Sequence, residues 1–147
     1  MTFASLLRTC GHTWNLEDMR LLLDTHILLW WRQDDPRLPR KWDDKFVDPE
    51  KYEILFSLVS IWEISIKRSI GKLRMDGHTE DFARTLVTDH GFFQLPLELH
   101  EIARTEQLPM HHRDPFDRLL IAQAIEAGAT AITDDPEWSK YPVSIDF

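Results

Sequence analysis

Three short apolar runs, each ended or soon followed by an acid, constrain this chain more than anything else in it. They are "RLLLD" at 20–24, "YEILFSLVS" at 52–60 and "ATAIT" at 129–133. Aliphatic runs this short suit strands buried on both faces of a parallel sheet. Segments with helical spacing lie between them: "THILLWW", "IWEISIKRSIGKL" halted near Gly71, residues 79–90 broken by Gly91, "ELHEIARTEQL", and "PFDRLLIAQAIEAG" closed by Gly128. "FFQLPL" and the tail "YPVSIDF" read as further short strands, and "RQDDPRLPRKWDDKF" as a loop running into a surface helix. Strands alternating with helices predict an α/β layer fold with a mostly parallel sheet.

A chain of 147 residues suits one domain with a real core. Met19 stands directly before the first strong strand, so we expect a single domain over 19–147 and an N-terminal extension or arm over 1–18. Cys10 is the only cysteine and has no internal partner, which points to a reducing compartment. No apolar stretch reaches membrane-spanning length, and a cytoplasmic protein is expected. The net charge of −8, from 17 basic and 25 acidic residues, weighs against a dedicated nucleic-acid binder with a basic face. An acidic protein still handles a phosphodiester when metal ions screen its carboxylates. Six tryptophans are many for this length, and indoles are enriched at interfaces. Trp30 and Trp31 are adjacent on a helix and point in different directions, one toward a core and the other toward a partner.

Ligands of parallel sheets sit beyond the carboxyl ends of the strands, and the acids fall there. Asp24 closes the first run, Glu63 follows the second, Asp117 opens the clearest helix, and Asp134 and Asp135 follow the third run. Each has a structural explanation on its own. Asp24 reads as an N-cap, "SIWE" as a capping box with Ser60 as cap, and both Asp114-Pro115 and Asp135-Pro136 as cap and first helical residue. Together they ask for more. Serine and threonine cap about as well as aspartate, and converging carboxylates repel unless a cation compensates. Hard oxygen donors of this kind select Mg²⁺ or Mn²⁺. Zinc fits poorly, because Cys10 is remote and His111 and His112 lack helical ligand spacing, which leaves those two as loop residues.

The series "MRLLLDTHILLWW", "SLVSIWEISIKRSIGKL", "LPMHHRDPFDRLLIAQA" and "AITDDPEWSKYPV", spanning about residues 19–147, resembles a PIN-domain ribonuclease, specifically the VapC-type toxin of type II toxin–antitoxin systems. The resemblance implies a three-layer α/β/α sandwich with an acidic pocket for Mg²⁺ or Mn²⁺. It implies endonucleolytic cleavage of RNA, silencing by a cognate antitoxin, and a homodimer. By motif Asp24, Glu63, Asp117 and Asp135 are the catalytic and metal-binding acids. Asp134 is an extra acid beside the fourth position, and Asp114 belongs to the subgroup's motif as ligand, supporting residue or cap.

In that scheme Asp24 and Asp117 are the main metal ligands, with Glu63 and Asp135 completing the shell or orienting the attacking water. Lys67, Arg68, Lys72, Arg113 and Arg118 are candidate RNA contacts. Two rival readings are a catalytically inactive PIN-like binding module and a different metal-dependent phosphoesterase. A phosphatase with a strand-end nucleophilic aspartate normally has a second aspartate two residues on, where this chain has His26. No glycine-rich loop follows any strand, which weighs against dinucleotide binding.

Overall fold

The computed structural model describes residues 19–147. The expected arm over 1–18, with Cys10, lies outside the described residues. Five strands form one all-parallel sheet: β1 (Arg20–Leu23), β2 (Glu53–Ser57), β3 (Phe93–Leu95), β4 (Thr130–Ile132) and β5 (Ile145–Asp146), in the order β3-β2-β1-β4-β5. The helices are α1 (Thr25–Arg32), α2 (Lys41–Phe46), α3 (Leu58–Ser69), α4 (Thr79–Thr88), α5 (Leu99–Arg104) and α6 (Pro115–Ala127). Single 3₁₀ turns cover Thr105–Gln107 and Pro136–Lys140.

β1 is the central strand, paired with β2 on one side and β4 on the other. Successive side chains of a strand face opposite ways, and "LLL" therefore feeds two cores. Leu21 and Leu23 join Ile27, Trp42, Phe56, Ile64 and Leu86 on one face. Leu22 joins Leu55, Leu120, Ile121, Ala131 and Trp138 on the other. Two apolar cores on the two faces of one sheet make the three-layer α/β/α sandwich. Full burial of each large aliphatic side chain is worth about 1.5–3 kcal/mol, so these two faces fix where the strand ends lie.

The turns beyond those strand ends are nearly absent. Asp24 alone separates β1 from α1, and β2 passes directly into α3. That directness corrects the capping box read into "SIWE". The N-cap of α3 is Ser57, whose Oγ accepts from the Val59 N–H at 3.0 Å. Ser60 lies buried in the first turn, where its Oγ accepts the Thr25 hydroxyl at 2.9 Å and ties α3 to α1. α6 begins as its sequence predicts, with Asp114 accepting the Phe116 N–H at 2.9 Å, and ends on Gly128 at φ +59°. Trp30 and Trp31 do not divide between core and surface. Both are half-buried against the first core, Trp31 near Phe46 and Phe92 and Trp30 beneath the Arg37 guanidinium at 4.6 Å.

Candidate active site

The carboxyl ends of β1 and β4, the start of α1, the middle of α3 and the first turn of α6 border an open cavity of about 230 Å³. Asp24, Glu63, Asp117 and Asp135 all line it, together with Asp114 and Lys67. Asp24 is held hardest. Its Oδ1 accepts the Thr25 N–H at 2.7 Å, and its Oδ2 accepts the Thr133 hydroxyl at 2.8 Å. The Thr133 hydroxyl in turn accepts the Asp135 N–H at 3.1 Å, so one threonine at the end of β4 sets both acids. Asp135 caps the Pro136–Lys140 turn through the Glu137 N–H at 2.9 Å. Asp24, Asp114 and Asp135 thus each cap a helix or turn and also line the cavity, because those elements start at the sheet edge.

Glu63 sits one turn into α3, buried, with Lys67 Nζ 2.6 Å from its Oε2. Asp117 is in the first turn of α6. Asp134 is set apart from Asp135: exposed, it bonds the Nε2 of His26, whose Nδ1 lies 3.2 Å from Asp24 Oδ2.

Crowding shows in the protonation equilibria. Burial pushes the Asp24 carboxyl above its ordinary value and the Glu63 charge adds to this, while His26 and the Thr133 and Thr25 hydrogen bonds oppose it. Asp117 is pushed up to about 7, by burial first and then by the charges of Asp24 and Asp114. Partial burial works to raise Asp135 as well, but the His112 hydrogen bond and the Glu137 amide outweigh it and hold that carboxyl low. Burial disfavours the Lys67 ammonium, yet its bond to Glu63 and the nearby acids raise its pKa overall. Among the described residues, five acids against one lysine line the cavity, an arrangement that a cation would stabilise.

Among the described residues, the ligand atoms that gather within 4.8 Å of one another belong to His112, Asp117 and Asp135. Asp24 and Glu63 line the same cavity outside that tight group. Nothing in the sequence spacing marks His112, which arrives on the loop before α6. Its Nε2 meets Asp135 Oδ2 at 2.9 Å, and its Nδ1 meets the Tyr141 hydroxyl at 3.0 Å. His26 likewise reaches Asp24 without a sequence signal beyond its position two residues on.

The basic residues divide sharply. Lys67 is half-exposed at the cavity, and Arg113 is exposed beside Asp114. Arg118 does not line the cavity. It is buried, and its guanidinium donates to the carbonyls of Thr105 at 2.6 Å, Pro109 at 2.8 Å and Leu108 at 3.3 Å. A helix position three residues past Pro115 turns it inward to fasten the incoming loop. Arg68 is similarly occupied, donating to the Met75 and Gly77 carbonyls and the Thr79 hydroxyl. Lys72 is exposed, and it does not line the cavity. Among the described residues no helix is long and apolar enough to cross a membrane.

The family model described as the PIN domain matches residues 21–143. No curated protein matches the chain. Similar solved structures include a chain of VapBC2 from Rickettsia felis bound to a DNA fragment from its promoter, at 13% identity and TM-score 0.66, covering 87% of this chain and 98% of that one. DNA-bound VapBC from Salmonella typhimurium follows at 14% identity and TM-score 0.59, covering 87% and 97%. FitAcB from Neisseria gonorrhoeae gives 16% identity and TM-score 0.59, covering 86% and 96%. At such identities the likeness concerns the fold.

Proposed function

Because the chain belongs to the PIN domain family, we propose that it is a metal-dependent endoribonuclease and the toxin of a toxin–antitoxin pair. The observation that carries the proposal is the convergence of Asp24, Glu63, Asp117 and Asp135 on one cavity beyond the strand ends. The relatives of the same fold that come from VapBC and FitAcB complexes support an antitoxin partner.

The donor set fits a hard divalent cation, Mg²⁺ or Mn²⁺: carboxylate oxygens, a strongly negative cavity and, among the described residues, no thiolate. Asp117 and Asp135 would hold it, with Asp24 directly or through water. When bound, such an ion lowers the pKa of water and offsets the charge that develops on phosphate. Glu63, held by Lys67, would orient a water for attack on phosphorus. The new bond is water oxygen to phosphorus, and the bond that breaks is phosphorus to an ester oxygen of the RNA backbone. Lys67 and Arg113 supply positive charge for the phosphates that flank it.

The test is cleavage of a single-stranded RNA in Mg²⁺ or Mn²⁺ by the wild type, Asp24→Asn and Asp117→Asn. Both variants should lose activity by about a hundredfold or more, and a chelator should abolish that of the wild type. Variants that cut as well as the wild type would overturn the site, and cleavage that survives chelation would overturn the metal.

A further inference from the structure

The loop before α6 and the turn after β4 meet through Tyr141, His112 and Asp135, and hydrogen-bond bookkeeping assigns each of them a role. A phenol oxygen has two lone pairs and one proton. At Tyr141 the backbone N–H of His112 at 2.8 Å and that of His111 at 3.2 Å take the lone pairs. The remaining O–H faces His112 Nδ1 at 3.0 Å and donates to it. An Nδ1 that accepts carries no proton, so the imidazole proton is on Nε2, which donates to Asp135 Oδ2 at 2.9 Å. The other carboxylate oxygen, Oδ1, accepts the Glu137 N–H at 2.9 Å. Asp135 is therefore gripped at both oxygens, each of which keeps a second lone pair turned elsewhere. Tyr141 is buried and the His112 side chain is only 9% exposed, so the grip is a fixed part of the structure.

We propose that His112 is a positioning residue for Asp135, held in the Nε2–H form by Tyr141, and that it is not itself a metal ligand. The proposal rests on the reading of Asp135 as a metal-binding acid. The rival is direct ligation, since His112 Nε2 lies within 4.8 Å of the ligand atoms of Asp117 and Asp135. Ligation through Nε2 would move the ring proton to Nδ1, where it would meet a phenol oxygen whose lone pairs are already used. Carboxylates that bind metals are themselves held by hydrogen bonds from outer groups, and those bonds set their direction.

The experiment uses the whole protein and Mn²⁺ as probe, with His112→Gln and His112→Leu as variants. A glutamine amide N–H reaches the place of Nε2–H, and leucine cannot donate. Calorimetry should show Mn²⁺ binding weakened by about ten- to a hundredfold in His112→Leu and largely restored in His112→Gln. Nitrogen-15 NMR of the metal-free wild type should find the His112 proton on Nε2. Pulsed electron paramagnetic resonance of bound Mn²⁺ should give the same nitrogen coupling in the wild type and in His112→Gln. A coupling lost in His112→Gln would establish direct ligation and overturn the proposal, as would a proton found on Nδ1. A His112→Leu variant, folded by circular dichroism, that binds Mn²⁺ like the wild type would overturn the positioning role alone. A wild type that binds no Mn²⁺ would overturn the reading of Asp135 together with it.

Discussion

Asp117→Asn should stabilise the metal-free protein while destroying its proposed activity. The substitution keeps the size of the side chain and removes a charge that the folded state tolerates poorly. Folding carries this carboxyl from 3.8 to about 7 through burial and the charges of Asp24 and Asp114. At 1.36 kcal/mol per pH unit that is about 4 kcal/mol. Asp117 is only partly buried, and solvent screening reduces the expected effect to about 1–2 kcal/mol. The sign follows from proton counting. Between pH 3.8 and about 7 the folded protein holds a proton that the unfolded chain has released, so stability falls as pH rises through that window. The penalty is absent below the window and complete above it. Urea unfolding followed by tryptophan fluorescence, in chelator, should therefore show the variant ahead at about pH 8 and the gap narrowing toward about pH 5. Saturating Mg²⁺ should reverse the order, because only the wild type then gains full ligand linkage. A gap that does not change with pH, or a variant less stable at every pH without metal, would refute the account of Asp117.

Three further outcomes follow from the same geometry. Arg118→Met should lower stability by about 2–4 kcal/mol in urea unfolding, since three carbonyls lose a buried donor; Arg113→Met should leave the midpoint unmoved, and equal effects would contradict the assignment. Lys67→Met should tighten Mg²⁺ binding about two- to fivefold in calorimetry by removing a cation from the cavity, while raising the KM for RNA. Gly128→Ala should cost about 1 kcal/mol in thermal unfolding through its φ of +59°, with nothing within 4 Å of the added Cβ, and Gly128→Asn should recover part of it because asparagine tolerates that region better.

Much of the fold was legible because its determinants are local. "RLLL" carries no polar alternation, which already says that both faces of β1 are covered. Asp114, Pro115 and Gly128 mark the ends of α6 by backbone chemistry alone. The cap of α3 lies three residues before the serine that "SIWE" suggests, for a definite reason. The sequence holds two serines, Ser57 and Ser60, and only the absence of any loop between β2 and α3 makes the first of them the cap. Arg118 illustrates a different limit: an arginine one residue from a site acid looks like a phosphate contact until the loop from Thr105 to Pro109 closes over it.

The sequence by itself determined the alternation of strands and helices, and it determined that acids would stand at the carboxyl ends of parallel strands. Those follow from side-chain period and capping preference, which act over a few residues. Only the tertiary structure decided which groups share the cavity. Residues 24, 63, 117 and 135 meet because β1 and β4 are neighbours in the sheet and α3 and α6 start at its edge. The tertiary structure alone also brought in His112 and Tyr141, which lie 29 positions apart and are joined by hydrogen bonds that no periodicity encodes. A histidine on a loop has no face to point from until the surrounding chain fixes what its two nitrogens will meet.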